Sequence, residues 1–488
     1  MGIVRTTLLR GAAYAAATLL TMAAALIVVR RLPARDYAAY QTLVKRLGVL
    51  VGYAVGLYGV WAYRGAARGD RAMVGAAYLL TTPVAAAAAA AAYLFTRGMG
   101  LGQVVALLAS LYGVAAAYWT LTRIVLNASM PVYSAAMTLL RRLSYGALVA
   151  VLVYWAGMGL VGALWALLAS HFLVLAVSAR RLLARRLASL RGTRGALASM
   201  LRRLYAPLVL QLGQGLQSLD VAAAYAFSTS SLVAGWFAAT SLPLLAADLA
   251  ITTMANLHSY VLRTGDPRRA ATAARLALAA AAPAAAVAAL YPLHVAYLVN
   301  SQYAWAAAAV PPAAAAMLAR IAAATASGIA EGSIGGRGEA RGLARLYAST
   351  ELPSSLLYLA ATAAGIAAAP GPAAKAAAWS TALATAELAR LLLLTRAAPP
   401  AARSEIARLP RWTARYGLLG LAAAAAAAPL APPPSPRFWE EAIRLAAIGS
   451  LTAAVYAGLV LLLDPWLRGL ALRAAGAAWG LLRGREGR

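Results

Sequence analysis

Apolar windows of roughly twenty residues, about the length a bilayer-spanning helix needs, recur along the whole chain. They cover residues 7–29, 38–62, 72–95, 101–122, 131–155, 158–178, 205–228, 233–257, 270–292, 304–329, 342–367, 373–395, 416–433 and 442–463, separated by charges or Pro/Gly clusters. A soluble core cannot hide so much apolar surface. Of the 488 residues 63% are hydrophobic and 12% charged, where a soluble domain carries about a quarter charged. The expected fold is an all-α polytopic membrane protein with about fourteen transmembrane helices. The first window is too long for the core of a cleavable leader and reads as a span.

The basic residues set the orientation. Net charge is +30, and apart from Lys45 and Lys375 it is carried by arginine. In a soluble protein such charge would point to nucleic acid. Here the arginines collect in alternate loops: Arg64, Arg68 and Arg71; Arg123; Arg180–Arg203; Arg263, Arg268 and Arg269; Arg337 and Arg341; Arg396–Arg415. Cytoplasmic loops carry such an excess, so both termini are expected in the cytoplasm of a multi-pass protein of the cytoplasmic membrane. The expected partners are membrane lipids, not nucleic acid. Cysteine is absent, which excludes disulfides, thiolate metal sites and a cysteine nucleophile. One stretch breaks the charge rule: VVRRLPARDYAAYQTL (28–43) follows the first span and falls on the external side.

The longest basic stretch, residues 178–203, has Leu182, Leu183, Leu187 and Leu190 at helical spacing and is expected to lie as an amphipathic helix on the inner surface. It divides six spans from eight. The resulting domains are an N-terminal six-helix bundle (1–178), a basic linker (179–204), a C-terminal six-helix bundle (205–396), extra helices 13 and 14 (397–463) and a basic amphipathic tail (464–488).

Charges within the spans are the candidate functional residues, because a charge at the bilayer centre costs about 2.5–3.5 kcal/mol and needs a partner or a wet cavity. In the first half these are Arg30, Lys45, Arg46, Arg141 and Arg142, and the only acids there are Asp36 and Asp70. Either the long side chains snorkel to the lipid surface or they line a cavity and await an anion. In the second half Asp220 sits mid-span beside Gln211, Gln214 and Gln217, and Asp248, Arg320, Glu351, Glu387 and Arg390 also lie within spans. Asp220 reads as a buried hydrogen-bonded or ion-paired group, or as a proton or sodium site. Glu387 and Arg390, three apart, are expected to pair on one helix face. His171, His258 and His294 lack metal-ligand spacing, and the glycine-rich GSIGGRGEAR (332–341) lacks a P-loop lysine, so it reads as a cytoplasmic turn. Tyr63, Tyr93, Trp155, Tyr291, Trp305, Trp412 and Trp439 stand at span ends as an interfacial belt.

Displaced by 197 positions, DYAAYQTL (36–43) aligns with VAGWFAAT (233–240), each next to the second span of its half. Repeated bundles around a midplane site are a common transporter architecture. VVRRLPARDYAAYQTL resembles the first external loop of polysaccharide flippases, with Arg30, Leu32, Asp36, Tyr37 and Tyr40 in register, although Pro33 and Ala38 replace the family's glycines. Residues 205–237, 298–317 and 328–359 are similar to the family's later spans. The resemblance is to the flippase branch of the multidrug/oligosaccharidyl-lipid/polysaccharide exporter superfamily. It implies two six-helix bundles related by a pseudo-two-fold repeat, plus two extra helices. It also implies alternating-access translocation of a lipid-linked oligosaccharide by a monomer that works with glycosyltransferases. No catalytic constellation is found, and no cofactor is expected beyond H+ or Na+ as coupling ion. The substrate-cavity candidates are Arg30, Lys45, Arg46, Arg141, Arg142, Asp220, Gln214 and Arg320. Rival readings are a cation-coupled exporter of small organic compounds, a membrane glycosyltransferase using a lipid-phosphate donor, and a structural membrane subunit.

Overall fold

A computed structural model describes the backbone of residues 3–33, 36, 39–40, 43–299, 301–336 and 338–472. No strand occurs among them. Lipid offers no hydrogen bonds, so apolar segments satisfy their backbone groups internally as helices. The helices are α1 (Ile3–Arg31), α2 (Gly48–Arg68), α3 (Arg71–Gly98), α4 (Gln103–Ser129), α5 (Pro131–Val149) and α6 (Gly159–Ala184). Then come α7 (Thr193–Arg202), α8 (Tyr205–Gln217), α9 (Asp220–Phe227), α10 (Ser230–Met254), α11 (Leu257–Thr264), α12 (Pro267–Leu290) and α13 (Pro292–Val299). The last six are α14 (Val310–Ser333), α15 (Glu339–Ala368), α16 (Gly371–Ala397), α17 (Pro400–Ile406), α18 (Leu409–Ala427) and α19 (Phe438–Leu463).

Every expected window overlaps one or more of these helices among the described residues. Nine among the described residues are long and apolar enough to cross a membrane by length and composition, against the fourteen expected. The window 205–228 is broken into α8 and α9 at Ser218 and Leu219. The amphipathic helix expected over 178–203 is also in two pieces. Helix α6 ends at Ala184, Arg186 and Gly192 take positive φ (50° and 77°), and α7 starts afresh at Thr193. Leu182 and Leu183 lie in the last turn of α6, and Leu187 and Leu190 in the non-helical segment before α7, so the four leucines do not share one helix face. Of the tail, residues 473–488 lie outside the described residues.

Local chemistry sets the boundaries. Asp70 caps α3 by accepting from Met73 N at 3.0 Å, and Asp266 caps α12 by accepting from Arg268 N and Arg269 N. Proline occupies the first turn of α5, α12, α16, α17 and α18, where its missing N–H costs nothing. Small residues bring helices close, as expected where lipid removes the hydrophobic drive for helix association. A Cβ on Gly113 of α4 would lie 2.9 Å from the Ala88 carbonyl of α3, and one on Gly420 of α18 would lie 2.8 Å from that of Ala282 in α12.

Buried apolar side chains gather in two large clusters. One is drawn from residues between Ala24 and Ala206, joined by Ala340, Leu343 and Tyr347 of α15; the other runs from Ala224 to Val460. Within the first, α1 packs on α5, and α4 packs on α2, α3 and α6. In the second, α16 packs on α14 and α15, and α12 packs on α14 and α18. Between the two, α1 meets α10, and α2 meets α11.

Candidate functional site

Ion pairs and hydrogen bonds join the two clusters at the end where α2, α10 and α14 finish and α15 begins. Arg10 of α1 is fully buried. Its Nε donates to the Thr253 carbonyl at 3.0 Å and its Nη2 to that of Thr252 at 2.5 Å, both in the last turn of α10. Its Nη1 reaches Asn127 Oδ1 and the Pro131 carbonyl, both at 3.3 Å, so one guanidinium links α1, α4, α5 and α10. Arg64 of α2, 1% exposed, donates to Glu339 of α15, to the carbonyl of Ile334 and, at 2.9 Å, to that of Glu331. It also lies 2.9 Å from His258 Nε2. Guanidinium only donates, so Nε2 accepts and His258 carries its proton on Nδ1, 3.2 Å from Glu331 Oε2. Arg68 grips both oxygens of Glu339 at 2.8 Å, the bidentate geometry that suits a guanidinium fork. Tyr63 donates to the Ala255 carbonyl at 2.7 Å and accepts from Ser259 N at 3.2 Å. At the mouth of α15 burial pushes the Glu339 carboxyl up, but the hydrogen bonds and charges of Arg68 and Arg64 outweigh it and hold the group below its ordinary value.

The first cluster encloses arginines with no acid beside them. Arg141 of α5 is 7% exposed, and its Nε has no hydrogen-bond partner. Its electrostatic neighbours are Arg142, Arg123, Tyr112 and Tyr145. His171 of α6 is buried alongside, donates Nδ1–H to the Leu167 carbonyl at 2.8 Å and meets Tyr112 edge-on at 5.3 Å. Tyr40 and Tyr145 close the group with their hydroxyls 2.5 Å apart. Among the described residues no carboxylate pairs with Arg141 or Arg142. Arg141, deeply buried with an unused N–H, the half-buried Arg142 and the exposed Arg123 together form a setting that an anion would complete.

The second cluster has the opposite balance. Asp220 opens α9 directly after the break in the helix. Its Oδ2 accepts from Tyr358 OH at 2.6 Å and Trp379 Nε1 at 3.3 Å, and its Oδ1 accepts from Val221 N at 2.7 Å. Trp379 stacks on Trp236 at 4.1 Å, which fixes the indole that donates. These donors are all neutral. Nearby a ladder runs from Asp248 to Arg320 (3.2 Å), Arg320 to Glu387 (3.8 Å), Glu387 to Arg390 (3.6 Å) and Arg390 to Glu351 (2.5 Å), through α10, α14, α16 and α15. Three carboxylates against two guanidiniums leave one negative charge uncancelled, and Glu387 Oε2 is buried with no hydrogen-bond donor.

No family model matches the chain, and no curated protein matches it. Solved structures do. A MATE crystal structure in the straight conformation aligns with a TM-score of 0.65 and 17% identity, covering 84% of this chain and 96% of that one. The Vibrio cholerae MATE transporter VcmN, in its bent form, aligns with a TM-score of 0.60 and 14% identity, covering 83% and 98%. MATE in complex with MaD3S gives 0.63 and 18%, covering 84% and 96%. The fold is that of MATE transporters.

MATE transporters belong to the exporter superfamily whose flippase branch the sequence resembles. On this MATE fold the expected site residues fall into separate groups. Arg141 and Arg142 stand together in the first cluster, while Asp220 and Arg320 belong to distinct networks in the second. Gln214 is exposed on α8, its carbonyl accepting from Tyr53 OH of α2 at 3.0 Å. The side chains of Arg30, Lys45 and Arg46 lie outside the described ones. Glu387 and Arg390 do face each other, yet the shorter bond from Arg390 goes to Glu351. Of the residues expected at span ends, Tyr63 bonds across the two clusters and Tyr291, buried, donates to the Ala424 carbonyl. No metal-ligand group occurs among the described residues.

Arg10, Arg64, Arg68, Glu331 and Glu339 are the residues that sequence reading missed. Arg10 lies within the first window, the same signal that singled out Arg141. Arg64 and Arg68 read as loop charges because their partner Glu339 lies 275 and 271 positions away.

Proposed function

We propose that the chain is an alternating-access exporter whose two clusters are rocking six-helix bundles, with α18 and α19 as added helices 13 and 14. In this reading the Arg10 and Arg64 bonds close the cytoplasmic end, the side to which positive-inside asymmetry assigns the arginine-rich loops. The likeness to MATE transporters favours an exporter of small organic compounds at least as well as a flippase. What speaks for a negatively charged cargo is one observation, the uncompensated Arg141, Arg142 and Arg123 in the first bundle. Planar guanidiniums suit phosphate oxygens, so the cargo class we favour is the lipid-linked oligosaccharide that the sequence resemblance implies, held through its phosphate. The excess carboxylate of the second bundle, with Asp220, supplies a seat for a coupling H+ or Na+.

The test uses reconstituted vesicles with two probes, a short-chain lipid-phosphate sugar and a cationic dye. Movement of the phosphate probe, cut about tenfold or more by Arg141→Ala with Arg142→Ala, supports the reading, since a charge-assisted hydrogen bond contributes about 1.5–3 kcal/mol. Movement of the dye alone, indifferent to those substitutions, overturns it in favour of the small-compound exporter.

A further inference from the structure

A cavity of about 430 Å³ opens at the arginine-rich end, lined by Arg268, Thr272 and Arg275 of α12, Glu405 of α17, Arg408 and Trp412 near the start of α18, and Trp466 beyond α19. It lies outside the arginine and carboxylate groups described above. Its charges do not cancel. Asp464 is consumed by Arg275 at 2.7 and 2.9 Å, by Tyr416 OH at 2.7 Å and by the backbone N–H groups of Trp466 and Leu467. Glu405 accepts from Arg408 at 3.0 and 3.2 Å. Of the three guanidiniums that line the cavity, Asp464 thus holds Arg275, with Arg415 outside the lining 4.0 Å from it, and Glu405 holds Arg408. Arg268 is the lining guanidinium left over: 86% exposed, with only a 3.9 Å approach to Glu405. Arg275 lies between the faces of Trp412 and Trp466, at 5.3 and 4.4 Å from their ring centroids, which makes the floor of the cavity rigid and amphipathic.

We infer that this cavity is a binding site for a singly charged phosphate ester, with an anionic phospholipid headgroup as the form a membrane supplies. One negative charge balances the one positive charge of the wall. The guanidinium of Arg268 offers the phosphate oxygens an unengaged fork. Tryptophans belong at the headgroup level, and basic pockets between helices on the arginine-rich side are where such headgroups bind. A lipid seated there would bridge α12 to α18 and to the chain leaving α19.

The full chain is placed in nanodiscs of phosphatidylcholine and titrated with short-chain phosphatidylglycerol, or with glycerophosphoglycerol, the same singly charged diester without acyl chains, while thermal unfolding and adducts in native mass spectrometry are read. Stabilisation by phosphatidylglycerol alone assigns the site to lipid; stabilisation by both assigns it to phosphate esters generally. Arg268→Ala should unfold at the wild-type temperature in phosphatidylcholine, because the side chain is exposed. It should bind phosphatidylglycerol about fivefold more weakly, since one surface arginine contributes about 1 kcal/mol to such attraction. Arg194→Ala, on the exposed face of α7, should bind as wild type does. No stabilisation of the wild type, an unaffected Arg268→Ala, or an equal loss in Arg194→Ala overturns the site.

Discussion

Glu339 is the residue on which the arginine-rich end turns, because Arg64 is buried against it and Arg68 grips it from outside. Removing one partner of a buried pair strands the other charge, at about 3–5 kcal/mol. Glu339→Gln should therefore loosen this end. In the natural cysteine-free background, Thr253→Cys, 7% exposed as threonine, should react faster with a membrane-impermeant maleimide when Glu339→Gln is added, and an unchanged rate would remove Glu339 from the closure. The pH behaviour has a definite sign. The carboxyl is held below the ordinary value of about 4.3, so the closure it provides is complete above that pH. It is lost as pH falls through the lowered value. Labelling of Thr253→Cys, taken relative to a fully exposed thiol so that the thiolate's own pH dependence cancels, should then be flat from neutral pH down to about 5. Asp220 calls for a different experiment. Asp220→Asn keeps an oxygen for Tyr358 and Trp379 but cannot titrate, so the protein should fold normally while vesicle transport stops responding to a pH or sodium gradient. A full response would clear Asp220 of coupling.

Helix by helix, the windows were legible because lipid permits little besides a helix where twenty apolar residues run together. The break between α8 and α9 was not. Residues 205–228 look continuous by hydropathy, and only the tertiary donors Tyr358 and Trp379 fix Asp220 at the start of a new helix. A discontinuous helix is a recurring transporter feature, but this break is held by contacts 138 and 159 positions away. The linker failed for a local reason, the positive φ of Arg186 and Gly192. Close packing of small residues gives the prediction at this scale. Gly113→Leu would force a side chain into the Ala88 backbone, and overpacking costs about 1–3 kcal/mol. A clear drop in melting temperature is expected, whereas Gly98→Leu, with open space around it, should melt as wild type does.

For the whole molecule, the division of charge is the informative feature: Arg141 and Arg142 without an acid in the first cluster, one carboxylate in excess in the Asp248-to-Glu351 ladder of the second besides Asp220, and the bonds of Arg10 and Arg64 joining the two at the arginine-rich end. Intramembrane charges were visible in the sequence as interruptions of apolar windows. Their grouping was not, because Asp248, Arg320, Glu387, Arg390 and Glu351 meet only when α10, α14, α15 and α16 pack. The proposed cycle requires the arginine-rich end to open and close. A side chain at Gly11 of α1 would meet Thr253 of α10 at 3.5 Å, across the two clusters, and the absence of native cysteine makes a pair there clean to introduce. The decisive measurement is transport of the lipid-phosphate probe by Gly11→Cys/Thr253→Cys in proteoliposomes, oxidised and then reduced. Alternating access predicts no transport while the pair is oxidised and recovery on reduction. Undiminished transport by the cross-linked protein would contradict it.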